Sequence, residues 1–336
     1  MFQTGLLLAL TATLLTAPAW ADEGFTERDL IGDHAPHLNG VLTSSRAPVN
    51  GRKRMKIYRV AAVGQRRFAH WICRTVAAVT AIGLTLLLAT GARAQNAGPE
   101  PTVVLVHGGF TDASGWDAVI DQLQDHGFPV IAPANPLRGV MADSAYLASV
   151  LDTLSGPLIL VGASEGGIVI SNAPGMMQNP QNVQALVFVA AFIPDVGERG
   201  QDLTPLPGSL IGPTTLQVRP CPVASCPAGV ELYIDPPHFR EVMTGDLSQD
   251  EANVLAAAQR PVSPNLATEP SEFAAWHTVP SFAIVATEDN AIGVANERVM
   301  AQRAHAKTVE VRASHFVMIS RPGAVARLIE SAAAQR

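Results

Sequence analysis

The residues best placed to do chemistry in this 336-residue chain are a serine, a histidine and an aspartate far apart in sequence. Ser164 lies in Gly162-Ala163-Ser164-Glu165-Gly166, a G-x-S-x-G string. So short a string occurs by chance, and its weight comes from position: it directly follows a strand-like apolar run and directly opens a helical one. In that setting a tight turn presents the serine hydroxyl, and the flanking positions are glycine because neighbouring backbone leaves no room for a Cβ. The helix N-terminus adds positive partial charge beside the oxygen. The bland alternative is a glycine-rich turn with a capping serine. A nucleophilic serine needs a base. His34, His37 and His70 lie in the N-terminal third, His126 and His305 end predicted helices, and His238 and His277 lie in or beside an irregular segment. His315 follows the last predicted strand and precedes the closing helix, which makes it the candidate base. A carboxylate must fix its tautomer and stabilise the imidazolium. Asp289 follows the preceding strand and is favoured; Glu288 beside it and Asp195 after an earlier strand are the rivals. The tetrahedral oxyanion needs two donors, and the amides of Gly109, in His107-Gly108-Gly109-Phe110, and of Glu165 supply them. His107 is then structural, bracing the turn. The Glu165 side chain is expected to turn away into solvent or toward a covering segment, since buried and ionised it would oppose catalysis.

These groups converge only if strands and helices carry them to one edge. Thr102–Val106 is a continuous β-branched run, the mark of a strand buried on both faces. Helical spacing follows from Trp116 to His126, with Trp116, Val119, Ile120 and Leu123 on one face and Gly127 at the end. Strands are predicted at 130–132, 158–161, 185–190, 282–286 and 308–311, with helices at 145–154, 165–172, 295–304 and 322–334. The alternation predicts an α/β fold, a doubly wound, mostly parallel sheet with helices on both faces. Residues 195–278 break the rhythm, are rich in proline and lack strong strand signals. They read as a lid inserted between late strands. In such a sheet Ser164, Asp289 and His315 all fall at the carboxyl edge. Trp276 and Phe239 are aromatic candidates for lining a pocket there, with core packing as the alternative.

Composition bounds the rest. The chain is 48% hydrophobic and 15% charged, ample for a buried core and against wholesale disorder. Residues 1–94 hold 11 Lys/Arg against 5 Asp/Glu, and residues 95–336 hold 12 against 24, so an acidic body carries a net charge of −12. That sign argues against nucleic acid or an anionic membrane as partner. Two stretches resemble export signals. Residues 1–21 have an apolar core and end in Ala19-Trp20-Ala21, without a basic lead. Residues 55–94 follow Arg52-Lys53-Arg54, contain the 16-residue apolar run Thr75–Thr90 and end in Ala92-Arg93-Ala94. That run is shorter than the ~20 residues of a typical span, and membrane attachment arises only if it is retained as an anchor. Tandem signals make little physical sense, so Met55 is the expected start, with 22–54 as linker or over-extended frame. The expected location is the periplasm or the exterior. Cys73 falls in the signal region, and in an oxidising compartment Cys221 and Cys226 are expected to close a small loop, two free thiols being the alternative. Three cysteines without zinc spacing indicate no metal site.

Val104-Leu105-Val106-His107-Gly108-Gly109-Phe110 with Trp116, Gly162 to Gly167, Val187 to Phe192, and Ala286-Thr287-Glu288-Asp289 with Ser314-His315 resemble the α/β-hydrolase superfamily. The chain order Ser164, Asp289, His315 is that of its triad. The branch most resembled is the small esterases related to plant methylesterases and hydroxynitrile lyases, over about residues 101–335. The resemblance implies a serine hydrolase acting on an ester through an acyl-enzyme, with no organic cofactor or metal and a small-molecule ester as partner. Two positions depart from the pattern: Ala163 replaces the usual histidine before the nucleophile, and Glu165 replaces an uncharged residue after it. Gly108 and Phe316 stand where the lyases carry threonine and lysine, so cyanohydrin cleavage is disfavoured. The expectation is a carboxylesterase for small to medium apolar esters. Alternatives are lactone or amide hydrolysis, or a non-catalytic ligand-binding protein in which Glu165 has spoiled the site.

Overall fold

Side chains alternate across each central strand, and this decides how the sheet is covered. In β1 (Thr102–Val106), Val103 and Leu105 enter one apolar cluster while Val104 and Val106 enter the other. β3 (Leu158–Ser164) splits the same way, with Ile159 and Val161 on one side and Leu158 and Leu160 on the other. Two cores, one on each face, leave the strands no polar side, which is why they read as unbroken apolar runs. The computed structural model describes residues 100–335 apart from 225 and 227. The signal-like stretches 1–21 and 55–94, including Thr75–Thr90, lie outside the described residues. Within these, no helix is long and apolar enough to cross a membrane.

Four more strands complete the main sheet: β2 (Val130–Ile131), β4 (Val183–Ala191), β7 (Ser281–Ala286) and β8 (Lys307–Val311). The order is β2-β1-β3-β4-β7-β8 and every pairing is parallel, as the strand-helix alternation predicts. One face is covered by α1 (Asp117–Asp125), through Val119 and Leu123, and by α8 (Pro322–Ala333), through Val325 and Ile329. The other is covered by α2 (Val140–Leu151), through Leu147 and Leu151, and by α7 (Val294–Arg303), through Met300 and Ala301. Each buried Val, Leu, Ile or Met side chain among these stabilises the fold by roughly 1.5–3 kcal/mol. α3 (Gly166–Asn172) follows β3 with one intervening residue.

Residues 195–278 run between β4 and β7. They are not strandless: β5 (Leu216–Pro220) and β6 (Val230–Ile234) form an antiparallel hairpin outside the main sheet. Its side chains are largely half-buried or exposed, so no apolar alternation announces it. A disulfide between Cys221 and Cys226 lies in the connection, where the Cys221 amide also donates to the Gly229 carbonyl at 2.9 Å. α4 (Pro236–Met243), α5 (Gln249–Ala258) and α6 (Asn265–Thr268) complete the segment. Phe239 and Trp276 both belong to the cores; Phe239 meets Phe316 edge to face, and the Trp276 indole donates to Pro194 O at 2.7 Å.

Candidate active site

Ser164 is the last residue of β3 and takes φ 51°, the left-handed region, in a side chain only 5% exposed. A non-glycine there costs on the order of 1–3 kcal/mol, which the surrounding structure must impose. Close backbone does so. A Cβ at Gly162 would lie 2.5 Å from the Gly166 carbonyl, and one at Gly166 would lie 2.4 Å from Val106 O. The two glycines let β3, the turn and β1 approach, and that approach fixes where the hydroxyl emerges.

The β1 turn is held by His107. Burial pushes its pKa down, so the ring is neutral. Nε2 accepts the Asn135 amide at 2.9 Å, which leaves Nδ1–H to donate to Gly108 O at 2.9 Å. Asn135 Nδ2 returns to the His107 carbonyl at 2.9 Å. This ring braces the loop, and the loop presents the Gly109 amide. A Cβ at Gly108 would fall 2.5 Å from Ser164 Cβ, so the two turns are in contact.

His315 and Asp289 meet across the ends of β8 and β7. Nδ1 lies 2.5 Å from Asp289 Oδ2, and both residues are 2% exposed. Asp289 Oδ1 accepts the amides of Ala291 and Ile292 at 2.6 and 2.9 Å, so the carboxylate cannot rotate without breaking two bonds. Burial works against its charge, but the His315 charge and hydrogen bond hold its pKa below the usual carboxylate range. For His315 burial acts downward, yet the Asp289 carboxylate, with a smaller contribution from Glu165, raises its pKa. The His315 loop is also tied to the insertion: Ser314 Oγ donates to Asp246, and the Phe316 amide donates to Met243 O at 3.2 Å. The rival carboxylates lie elsewhere. Asp195 pairs with exposed His277 at 2.9 Å, and Glu288 with exposed Arg312 at 2.7 Å.

Glu165 departs from expectation. Its half-buried side chain borders the cavity walled by the insertion, but it stays over the turn instead of pointing away from it. Oε2 accepts the Ser164 hydroxyl at 2.6 Å and the Gly109 amide at 2.8 Å. One carboxylate oxygen thus bridges the Ser164 hydroxyl and the Gly109 amide. Among the described residues no hydrogen bond joins Ser164 to His315. The physical reason is proximity: Glu165 is adjacent to the hydroxyl, which with the Gly109 amide gives its carboxylate two donors.

Beside this group opens a cavity of about 320 Å³. Phe110, Ile168, Leu216, Leu232, Val262 and Leu266 supply apolar walls, and Glu165 is the charged residue among its lining. Leu216, Leu232, Val262 and Leu266 come from the insertion. Among the described residues, the one acidic, histidine or cysteine cluster tight enough for a metal is Cys221, Cys226 and Glu231. Its sulfurs are bonded to each other, and Glu231 pairs with Arg138 at 2.6 Å.

Two groups escape the sequence reading. Asp246 gives no signal, being one acid in a polar loop. Glu297 lies in the first turn of α7, where acids are common because they suit the helix dipole. That commonness hides its burial at 3% exposed.

Comparison with known proteins follows the same lines. Residues 103–328 match the model of the alpha/beta hydrolase family, and no curated protein sequence matches the chain. Polyneuridine aldehyde esterase is similar in structure, at 21% identity and TM-score 0.58, over 69% of this chain and 99% of that one. A pyrethroid hydrolase from Sphingobium faniae JZ-2 is similar at 23% identity and TM-score 0.56, over 69% and 97%. Tomato methylketone synthase I complexed with 2-tridecanone is similar at 20% identity and TM-score 0.59, over 71% and 99%. At these identities the likeness is one of fold.

Proposed function

The chain belongs to the alpha/beta hydrolase family, and from that premise we propose that it is a serine-dependent carboxylic ester hydrolase working through an acyl-enzyme. The observation that carries the reading is the buried His315–Asp289 pair at 2.5 Å, at the same sheet edge as a serine held in a strained turn. In this mechanism Ser164 attacks the ester carbonyl carbon and its proton passes to His315 Nε2. Asp289 holds Nδ1–H and stabilises the imidazolium. The amides of Gly109 and Glu165 receive the oxyanion. His315 returns the proton to the leaving alcohol; water then repeats the sequence on the acyl-enzyme and releases the acid. Productive binding requires the Glu165 carboxylate to leave the Gly109 amide, so the free protein is capped and each substrate displaces the cap.

The apolar walls and a volume of about 320 Å³, at the small end for ligand pockets, favour small to medium apolar esters. Insertion residues line that cavity, which supports a lid role for 195–278. Two similar structures carry the names esterase and pyrethroid hydrolase, in keeping with hydrolysis. The signal-like N-terminal region supports action after export, in the periplasm or outside the cell, and the acidic body supports a small-molecule partner over nucleic acid.

One observation favours a second reading: the carboxylate on the Gly109 amide is what a non-catalytic binding protein with a spoiled site would show. A fluorophosphonate probe separates the two. The hydrolase is labelled at Ser164 and cleaves short chromogenic esters, while Ser164→Ala is unlabelled and slower by on the order of 10⁴-fold or more, with an unchanged circular dichroism spectrum. A wild-type protein that neither labels nor cleaves any ester or amide sinks the hydrolase reading.

A further inference from the structure

Behind the His315–Asp289 pair lies a second buried carboxyl for which the mechanism above has no use. Glu297 is 3% exposed. Its Oε2 accepts one amide, that of Ala286 at the end of β7, at 3.1 Å. Its Oε1 is buried with no donor reaching it among the described residues. Asp289 shares that anchor: its amide donates to the carbonyl of the same Ala286 at 3.2 Å, and the two carboxyls act on each other's protonation. Two ionised carboxylates anchored on one residue in a buried site repel, and each can only accept, so one of them carries a proton that the other can receive. Among the described residues no ion pair reaches Glu297. Arg298, next on the helix, points outward to exposed Glu310, with bonds of 2.8 Å through Nε and Nη2.

The donors around each carboxyl decide where the proton sits. Asp289 receives two amides and faces the His315 imidazole, all of which favour its ionised form. Glu297 receives a single amide. We propose that Glu297 is a neutral carboxylic acid whose O–H donates to the Asp289 carboxylate, making it a positioning residue that sets Asp289's orientation and its strength as acceptor for His315. Burial first, then the Asp289 charge and their shared hydrogen bond, push the Glu297 pKa well above the usual range, against the Ala286 amide and the Arg298 charge. The groups that act on this proton are thus Asp289, with His315 beyond it, and Arg298 on its own helix. The proposal rests on the reading of Ser164, His315 and Asp289 as a relay for its functional consequence, but the proton itself can be observed without turnover.

Infrared difference spectra between wild type and Glu297→Gln, taken at pH 8, test the proton directly. At that pH Asp143, the other acid with a raised pKa, is ionised. The expected result is a protonated-carboxyl C=O band present in wild type and missing in the variant; no such band overturns the proposal whatever the activity. Should Glu297→Gln not fold, Glu297→Leu serves for the same subtraction. The kinetic arm uses the pH profile of kcat/KM for a chromogenic ester. Glutamine keeps an N–H donor for Asp289 and a carbonyl for the Ala286 amide, so the acid limb stays put. Leucine removes the donor; kcat falls roughly tenfold, the scale of one hydrogen bond to a charged group, and the limb moves to higher pH because Asp289 holds the imidazolium harder. A limb that moves down by about one pH unit in Glu297→Gln would mean Glu297 is ionised, and the proposal fails. Full activity and an unmoved limb in both variants overturn the positioning role. If wild type is inert toward every ester and probe, the relay reading fails on its own, and the infrared arm still decides the Glu297 proton.

Discussion

Replacing Glu165 with alanine should make the protein a better hydrolase. In the free state the carboxylate holds two donors, the Ser164 hydroxyl at 2.6 Å and the Gly109 amide at 2.8 Å. Hydrogen bonds to a charged group contribute about 1.5–3 kcal/mol each. Displacement breaks both, but Glu165 is only half-buried and lines the cavity, so its carboxylate regains hydration when it leaves. The net cost of opening is then about 1–3 kcal/mol, which leaves roughly one molecule in 6 to one in 160 competent to bind at any moment. Since apparent affinity scales with the competent fraction, Glu165→Ala should raise kcat/KM by roughly 6- to 160-fold. Most of the gain should appear as a lower KM, because the cap competes with the bound ester rather than with the transition state. Glu165→Gln should fall between, as its amide oxygen can accept the same two donors with only neutral strength. The assay is initial-rate hydrolysis of a short chromogenic ester, paired with the rate of fluorophosphonate labelling, which should rise in parallel. A fall of tenfold or more in both rates would refute the argument: the carboxylate would then be assisting Ser164, not covering the site, and the assignment of His315 as base would need replacing.

Three further outcomes follow from the same geometry. Because the His315 pKa is raised and the base must be unprotonated, kcat/KM should fall as pH drops through a midpoint above about 6.5; a limb below that value would contradict the Asp289 pairing. Asp143, buried at the start of α2, has its pKa pushed up from 3.8 to about 6, chiefly by burial against the opposing pull of the Arg138 amide. A raised acid pKa weakens the fold as pH climbs through that window, since the unfolded chain releases the proton first, by about 3 kcal/mol in all. Urea melts of wild type and Asp143→Asn should therefore diverge by roughly 2–3 kcal/mol between pH 4 and pH 7 in the variant's favour, and a constant difference would refute the linkage. Gly166→Ala should cost about 1–3 kcal/mol or more by overpacking, because its Cβ would meet Val106 O at 2.4 Å; a thermal melt that does not move would show the β1–β3 approach to be looser than described.

How much of this was legible depends on which forces leave a trace in residue order. Thr102–Val106 and the first four residues of Leu158–Ser164 were readable because burial on both faces demands an unbroken apolar run. The hairpin Leu216–Pro220 with Val230–Ile234 was not, because a half-exposed pair carries no such demand. The same contrast governs the site. Strand ends announce where a backbone arrives, so the residue types at Ser164, Asp289 and His315 could be placed at one edge from spacing alone. Spacing says nothing about where a flexible side chain turns after its backbone is fixed, and Glu165 shows the consequence.

Charge balance ties these groups together. Around one imidazole stand three carboxyls, and the surroundings differentiate them. Asp289 is clamped by two amides and by His315, so its charge is fixed and spent on the imidazolium. Glu297 has a single amide and a carboxylate for neighbour, so it carries the proton that keeps the buried pair from doubling its charge. Glu165 faces the cavity and is held only by groups that substrate must claim, so its charge is the one that can move. A low-dielectric site tolerates one unpaired charge at the substrate's position only if that charge leaves when substrate arrives. An ester carbonyl can take over its two donors, whereas a second carboxylate entering the cavity would face the displaced one.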